Sequence, residues 1–171
     1  MRRVASNLTA VAAALVLSPS AFPATLGPHP LQDRPAIDFA LRSVDGPNVR
    51  LSEYRGEVVL VSFWGSRCGQ CLPQLAALSR LQATYGSAGL VTLAVNVDDD
   101  QAAARQFLAA RATGFPLLLD PAKGVARSWR VDSLPMVALV DRGGVVREVF
   151  RDYRSGAEND YQARIKALLD E

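Results

Sequence analysis

Along this chain, short unbroken apolar runs alternate with longer segments in which apolar residues return every three or four positions. Residues 58–64, Val-Val-Leu-Val-Ser-Phe-Trp, form the strongest run, rich in β-branched side chains and interrupted by one serine. Such a run predicts a strand covered on both faces. Leu72, Leu75, Leu78 and Leu81 then recur at threes, which predicts a helix with one apolar stripe, ending near Gly86. Residues 90–97 read as a second buried strand, and Asp98-Asp99-Asp100 supplies N-caps and favourable negative charge for a helix over 101–111. Residues 117–119 make a short strand and 124–129 a short helix. Residues 136–140 and 145–150 flank Asp141-Arg142-Gly143-Gly144, a hairpin signal, and a last helix covers 160–169.

Alternating strands and helices followed by a hairpin and a helix predict an α/β domain, with a mixed central sheet covered by helices on both faces. The segment 39–51 adds an N-terminal hairpin. Two stretches stand outside this domain, which the pattern places at 35–171. Residues 21–34 are rich in proline and glycine without an apolar period, so they read as a linker that includes His29. Residues 1–20 open with Met1-Arg2-Arg3, continue with an apolar run over 8–17, and end in Ser18-Pro19-Ser20. That order is the one a secretory signal follows, and the run is shorter than the ~20 residues of a spanning helix. Export is the expectation; cleavage of this segment and its retention as a membrane anchor both remain open.

Composition changes the picture in one respect. With 171 residues, 49% hydrophobic, the chain can bury a core without disulfides to hold it together. It carries 19 basic and 17 acidic side chains, and removal of Arg2 and Arg3 leaves 17 against 17. A balanced domain gives no reason to expect nucleic acid or an anionic membrane as a partner.

The candidate chemistry lies in the only two cysteines, Cys68 and Cys71, which enclose Gly69-Gln70. They fall just after the strand ending at Trp64 and at the start of the Leu72–Leu81 stripe. There, unpaired backbone N–H groups and the positive end of the helix dipole favour a thiolate, the nucleophilic form. Cys68, the first and more exposed, is the expected attacking thiol; Cys71, one turn inward, would resolve a mixed disulfide. Arg67 would favour the Cys68 thiolate further. A structural zinc site would need four ligands, and His29 is the sole histidine. A purely structural disulfide would close so tight a loop that little unfolded-state entropy is removed. Pro135, immediately before a predicted strand, is acceptable at a strand's first residue, where no N–H is needed. Trp64 is expected to pack beside the cysteines and Trp129 in the core.

The chain resembles the TlpA/ResA-like (DsbE-like) family of membrane-tethered or periplasmic thioredoxins. The residues that carry the resemblance are Pro35-Ala36-Ile37-Asp38-Phe39 with Leu51-Ser52-Glu53-Tyr54-Arg55-Gly56, then Phe63-Trp64-Gly65 before the cysteines. Val95-Asn96-Val97, Phe115-Pro116, Leu134-Pro135 and Val140-Asp141 with Gly144 follow in order. The resemblance implies a thioredoxin-like fold with an extra βα unit around 98–120. It implies a cis bond at Pro135, which with Leu134 would shape the groove for a substrate chain. It implies exchange of the Cys68/Cys71 dithiol with protein thiols and disulfides, electrons from a membrane thiol-electron transporter, and a role in cytochrome c maturation. No metal, flavin or nucleotide cofactor is implied.

Three departures are informative. Arg67 stands where the family usually has an aromatic residue, Gln74 where many members carry a glutamate that manages protons, and Ser62 where thioredoxins proper place a buried aspartate. A neutral amide cannot accept the proton of Cys71 as a carboxylate does. The expectation is a thiolate-favouring Cys68, a relatively oxidising couple, and resolution by Cys71 that is slow or assisted by water. Competing readings are a thiol peroxidase of the related peroxiredoxin group, whose reactive cysteine needs a proline- and threonine-bearing loop not seen in the sequence; a copper metallochaperone, which needs a histidine beside its cysteines; and an adaptor that keeps the fold without the chemistry.

Overall fold

The protein is described here by a computed structural model, covering residues 27–44, 46–109 and 113–171. The expected signal segment, the first part of the linker and the expected end of the helix over 101–111 lie outside the described residues.

The sheet is built around β3 (Val58–Trp64), whose seven residues are all buried. Its alternate side chains feed two separate cores, as the period of two demands. Val58, Leu60 and Trp64 enter one core, and Val59, Val61 and Phe63 enter the other. β4 (Leu90–Asn96) and β5 (Leu117–Leu119) continue the sheet in parallel on one side of β3. On the other side β6 (Met136–Val140) and β7 (Val146–Arg151) pair antiparallel. The N-terminal hairpin, β1 (Ala40–Ser43) with β2 (Asn48–Arg50), joins antiparallel through β1 to β5. The result is one seven-stranded mixed sheet in the order β2-β1-β5-β4-β3-β6-β7.

On one face pack α1 (Cys71–Tyr85) and α4 (Ala157–Leu169), with Ala104 of α2 (Gln101–Ala109) in the same core. The stripe of α1 is shifted from the one the leucines suggest. Cys71, Gln74, Leu75, Ala77, Leu78 and Leu81 are buried, while Leu72 is only partly so. The other face is covered by α3 (Gly124–Ser128), Trp129 and the chain leading into β1. Trp129 packs edge-on to Phe39, with ring centroids 6.1 Å apart, and donates its indole N–H to the Ile37 carbonyl at 3.0 Å. Burial of one such ring is worth about 3 kcal/mol or more.

The linker expectation for His29 is corrected. His29 is buried, its Nδ1 accepts the Leu31 N–H and its Nε2 donates to the Arg130 carbonyl, both at 3.3 Å. Asp33 and Arg34 exchange backbone hydrogen bonds with Val146 at 2.7 and 2.9 Å, and Leu31 joins the second core. Proline and glycine set the irregular path of this stretch, but the sheet face it covers is apolar, and that face holds it in place. The last helix also starts three residues ahead of the expected position. Among the described residues no helix is long and apolar enough to cross a membrane.

Candidate active site

The cysteines emerge at the C-terminal end of the central strand, where parallel sheets open a crevice. After Trp64 the chain turns: Cys68 donates its backbone N–H to the Gly65 carbonyl at 3.1 Å, and Cys71 donates to the Cys68 carbonyl at 3.2 Å. Cys71 is the first residue of α1, with Gln70 at the cap. Cys68 therefore lies one turn ahead of the helix, rather than within its first residues. The two sulfurs form a disulfide across a Cα–Cα distance of 5.3 Å. Cys71 is fully buried, while Cys68 is half-buried at the surface of the same core. This asymmetry fits an attacking Cys68 and a resolving Cys71, because only an exposed thiolate meets a partner's disulfide.

Trp64 is fully buried in the core that contains Cys71 and against which Cys68 packs. Arg67 is exposed and lines an open groove of about 690 Å³ beside the cysteine turn, together with Ser66, Val97, Val131, Ser133 and Leu134. The Leu134–Pro135 bond is cis, and Pro135 is buried. Met136 directly after it pairs with Phe63 in the sheet, which brings the proline loop alongside the turn that carries Cys68. A Cβ on Gly65 would stand 3.4 Å from Leu134 Cδ1 and 3.1 Å from Asp98 Oδ1, so glycine is what lets these three elements close on one another.

Asp98 was expected as one of three helix-capping aspartates, and its role is different. Asp100 is the cap, accepting the Ala102 N–H at 2.8 Å, and Asp99 forms an exposed pair with Lys123 at 2.9 Å. Asp98 turns back to the active-site turn: its carboxylate accepts the Ser66 N–H through both oxygens and the Asn96 side-chain amide at 2.9 Å. The usual acidic positions are indeed neutral, yet a carboxylate reaches the turn from the end of β4. Nothing in a run of three aspartates distinguishes the first from its neighbours.

Ser62 and Gln74, noted separately in the sequence, meet in the structure. Ser62 lies on the face of β3 turned to α1 and α4, so its hydroxyl needs a partner there. It donates to Gln74 Oε1 at 3.2 Å, and Gln74 Nε2 donates to the Tyr161 hydroxyl at 3.2 Å. All three side chains are buried. Burial pushes the Tyr161 phenol up to about 12, against the opposing effect of the Gln74 hydrogen bond, so the whole chain of groups is neutral at physiological pH. Tyr161, nearly ninety positions further along the sequence, carried no signal of this role. Among the described residues no cluster of cysteine, histidine or carboxylate side chains could hold a metal ion.

Residues 33–149 match the model of the AhpC/TSA family. The thiol-disulfide oxidoreductase ResA of Geobacillus kaustophilus is 32% identical over 114 residues, 67% of this chain and 66% of that protein, a share just short of two thirds of the relative's length. The crystal structure assigned as the thiol:disulfide interchange protein DsbE of Chlorobium tepidum superposes with a TM-score of 0.78 at 33% identity, covering 81% of this chain and 97% of that one. The exposed lipoprotein thioredoxin Etrx1 of Streptococcus pneumoniae gives a TM-score of 0.69 at 26% identity, over 77% of this chain and 100% of that one. The fold, the matched family model and these relatives agree: the chain belongs to the AhpC/TSA family and is a TlpA/ResA-like member of the thioredoxin superfamily.

Proposed function

We propose that the protein is an extracytoplasmic thiol-disulfide oxidoreductase that exchanges its Cys68/Cys71 pair with cysteines of other proteins. The observation that carries this reading is the pair itself: a disulfide joining a half-buried Cys68 to a fully buried Cys71 at the C-terminal end of the central strand, beside the loop of Pro135. A partner's segment enters the groove along Ser66, Arg67 and Leu134 and pairs with backbone at the proline loop, strand-like. Cys68 attacks or is attacked, a mixed disulfide forms, and Cys71 releases it.

Location outside the cytoplasm is supported by the signal-like residues 1–20, cleaved or kept as an anchor, and by a relative whose name is that of an exposed lipoprotein. A membrane thiol-electron transporter would re-reduce the pair, and the assembly of c-type cytochromes is the pathway to which the family resemblance leads. No cofactor is needed for the exchange, since both electrons reside in sulfur. The peroxidase reading has the family model's name in its favour. A half-buried cysteine joined to a second one three residues on is, however, the arrangement of a dithiol exchanger.

Trapping tests the proposal. In cells expressing the Cys71→Ala protein, Cys68 should accumulate in mixed disulfides with exported proteins that reducing agent releases. A protein that gathers no such adducts, yet consumes peroxide catalytically when purified, would reverse the reading.

A further inference from the structure

The hydrogen-bonded chain Ser62–Gln74–Tyr161 ties α1, which begins at Cys71, to β3 and α4, and its chemistry differs from that of an acid at the same place. A carboxylate at position 74 would accept the proton of Cys71. The amide of glutamine accepts none, but its nitrogen has two protons to donate. Tyr161 takes one of them, and Ser62 occupies the amide oxygen. The two contacts come from β3 and α4, so the amide is held by elements other than its own helix. Cys71 and Gln74 stand three positions apart on α1 and are both fully buried, which makes them neighbours on one helix face. In the disulfide, Cys71 needs nothing from its surroundings. To resolve a mixed disulfide it must carry negative charge on a sulfur that is fully buried in the oxidised protein, and burial opposes that.

We propose that Gln74 assists resolution as a hydrogen-bond donor to the attacking thiolate of Cys71, and that Tyr161 is the positioning residue that keeps this donor in place by binding the other amide proton. The inference rests on the exchange reading. In the step concerned, Cys71 has lost its proton to water. Its sulfur lone pair forms the bond to Cys68 Sγ, the bond from Cys68 to the partner's sulfur breaks, and the partner leaves as a thiolate that takes a proton from solvent. The protein loses two electrons and the partner gains them. The titratable groups acting on Tyr161 are Tyr153, Glu158 and Asp160. Glu158 is engaged by the Tyr153 hydroxyl and the Gly156 N–H, both at 3.0 Å, and Arg80 of α1 acts on Tyr153 and Glu158. Glu148 of β7 faces Arg164 at 3.5 Å. Among the described residues none of these carboxylates contacts Gln74.

The test follows the reduced protein after mixing with excess 5,5′-dithiobis(2-nitrobenzoate) between pH 6 and 9. The first thionitrobenzoate is released as Cys68 attacks, at a rate proportional to reagent. The second is released as Cys71 displaces the adduct on Cys68, in a first-order phase independent of reagent. Tyr161→Phe should slow that second phase about 3- to 10-fold, the size of one lost hydrogen bond, and move its pH midpoint upward. Tyr153→Phe removes a buried hydroxyl bound to Glu158 instead, and should leave the phase within about twofold of wild type. Gln74→Leu, which removes the donor itself, should slow the phase at least as much as Tyr161→Phe, and carries the test alone if Tyr161→Phe does not fold. A Tyr161→Phe phase within twofold of wild type at every pH, or equal slowing by Tyr153→Phe, overturns the inference and leaves the exchange reading standing. A wild-type protein whose second release still depends on reagent concentration overturns both.

Discussion

The backbone N–H of Ser66 is held by both carboxylate oxygens of Asp98, at 3.1 and 2.9 Å. The turn that carries Cys68 is thus tied to the neighbouring strand as well as to its own helix. The same carboxylate also takes the Asn96 amide, and Val97 donates its N–H to the Trp64 carbonyl at 3.0 Å, so the ends of β3 and β4 are joined at the point where the chain leaves the sheet.

Asp98→Ala should therefore destabilise the oxidised protein by about 1.5–3 kcal/mol, the cost of losing hydrogen bonds to a charged acceptor. Asp98→Asn, which keeps an oxygen acceptor, should lose less. Urea unfolding of the three proteins checks the order, and equal midpoints would show that the turn does not depend on Asp98.

In the reduced protein, brief treatment with iodoacetamide should modify Cys68 at least about tenfold faster than Cys71, because reactivity follows exposure as well as thiolate content. Cys68 is half-buried and Cys71 has no accessible surface. Peptide mapping after short reaction times reads the ratio, and comparable labelling would reverse the assignment of attacking and resolving thiols.

Gln74→Glu places a carboxyl against Ser62 and Tyr161, with no cation touching it among the described contacts. Burial raises its folded-state pKa above the unfolded value. Below about pH 4 the group is neutral in both states and the variant should approach wild-type stability. As pH rises from there the unfolded chain ionises first, so the variant loses stability up to its folded pKa; a shift of two pH units would cost about 2.7 kcal/mol. Urea midpoints at pH 4 and pH 8 measure the gap, and a gap that stays constant with pH would contradict this account.

Asp38 behaves in the opposite sense. Burial pushes its carboxyl up, but the Ser52 N–H, the Ser52 hydroxyl and the Arg50 guanidinium together outweigh this and hold it below the usual carboxylate range. A depressed folded pKa contributes stability at pH values above the unfolded pKa and loses it as pH falls through the folded one. Asp38→Asn should therefore be less stable than wild type at pH 7, by no more than about 1 kcal/mol because the pair is open to solvent. The two proteins should converge as pH falls through the folded pKa of Asp38. A difference that does not shrink on acidification, followed by thermal unfolding, would remove the electrostatic origin.

By itself the sequence determined the parts whose physics is local. The run over 58–64 could only be a strand covered on both sides, since so many β-branched residues without polar alternation leave no face for water. Two cysteines three apart, between that strand and an apolar stripe, marked a candidate dithiol pair, which the structure joins as a disulfide, and the proline before β6 stood where a missing N–H costs nothing. Ser62 and Gln74 were legible as departures from the family pattern, neutral residues where it places acids. Only the tertiary structure decided what they were departures toward. Hydrogen-bond partners in a core are chosen by which elements pack together, so Tyr161 could answer Gln74 only once α4 lay across α1. His29 became a buried residue because an apolar sheet face needed cover, and Asp98 left its two neighbours to hold Ser66 because β3 and β4 end side by side. Periodicity and spacing report what a segment prefers; the partner of a buried polar group is set by contacts that no stretch of sequence contains.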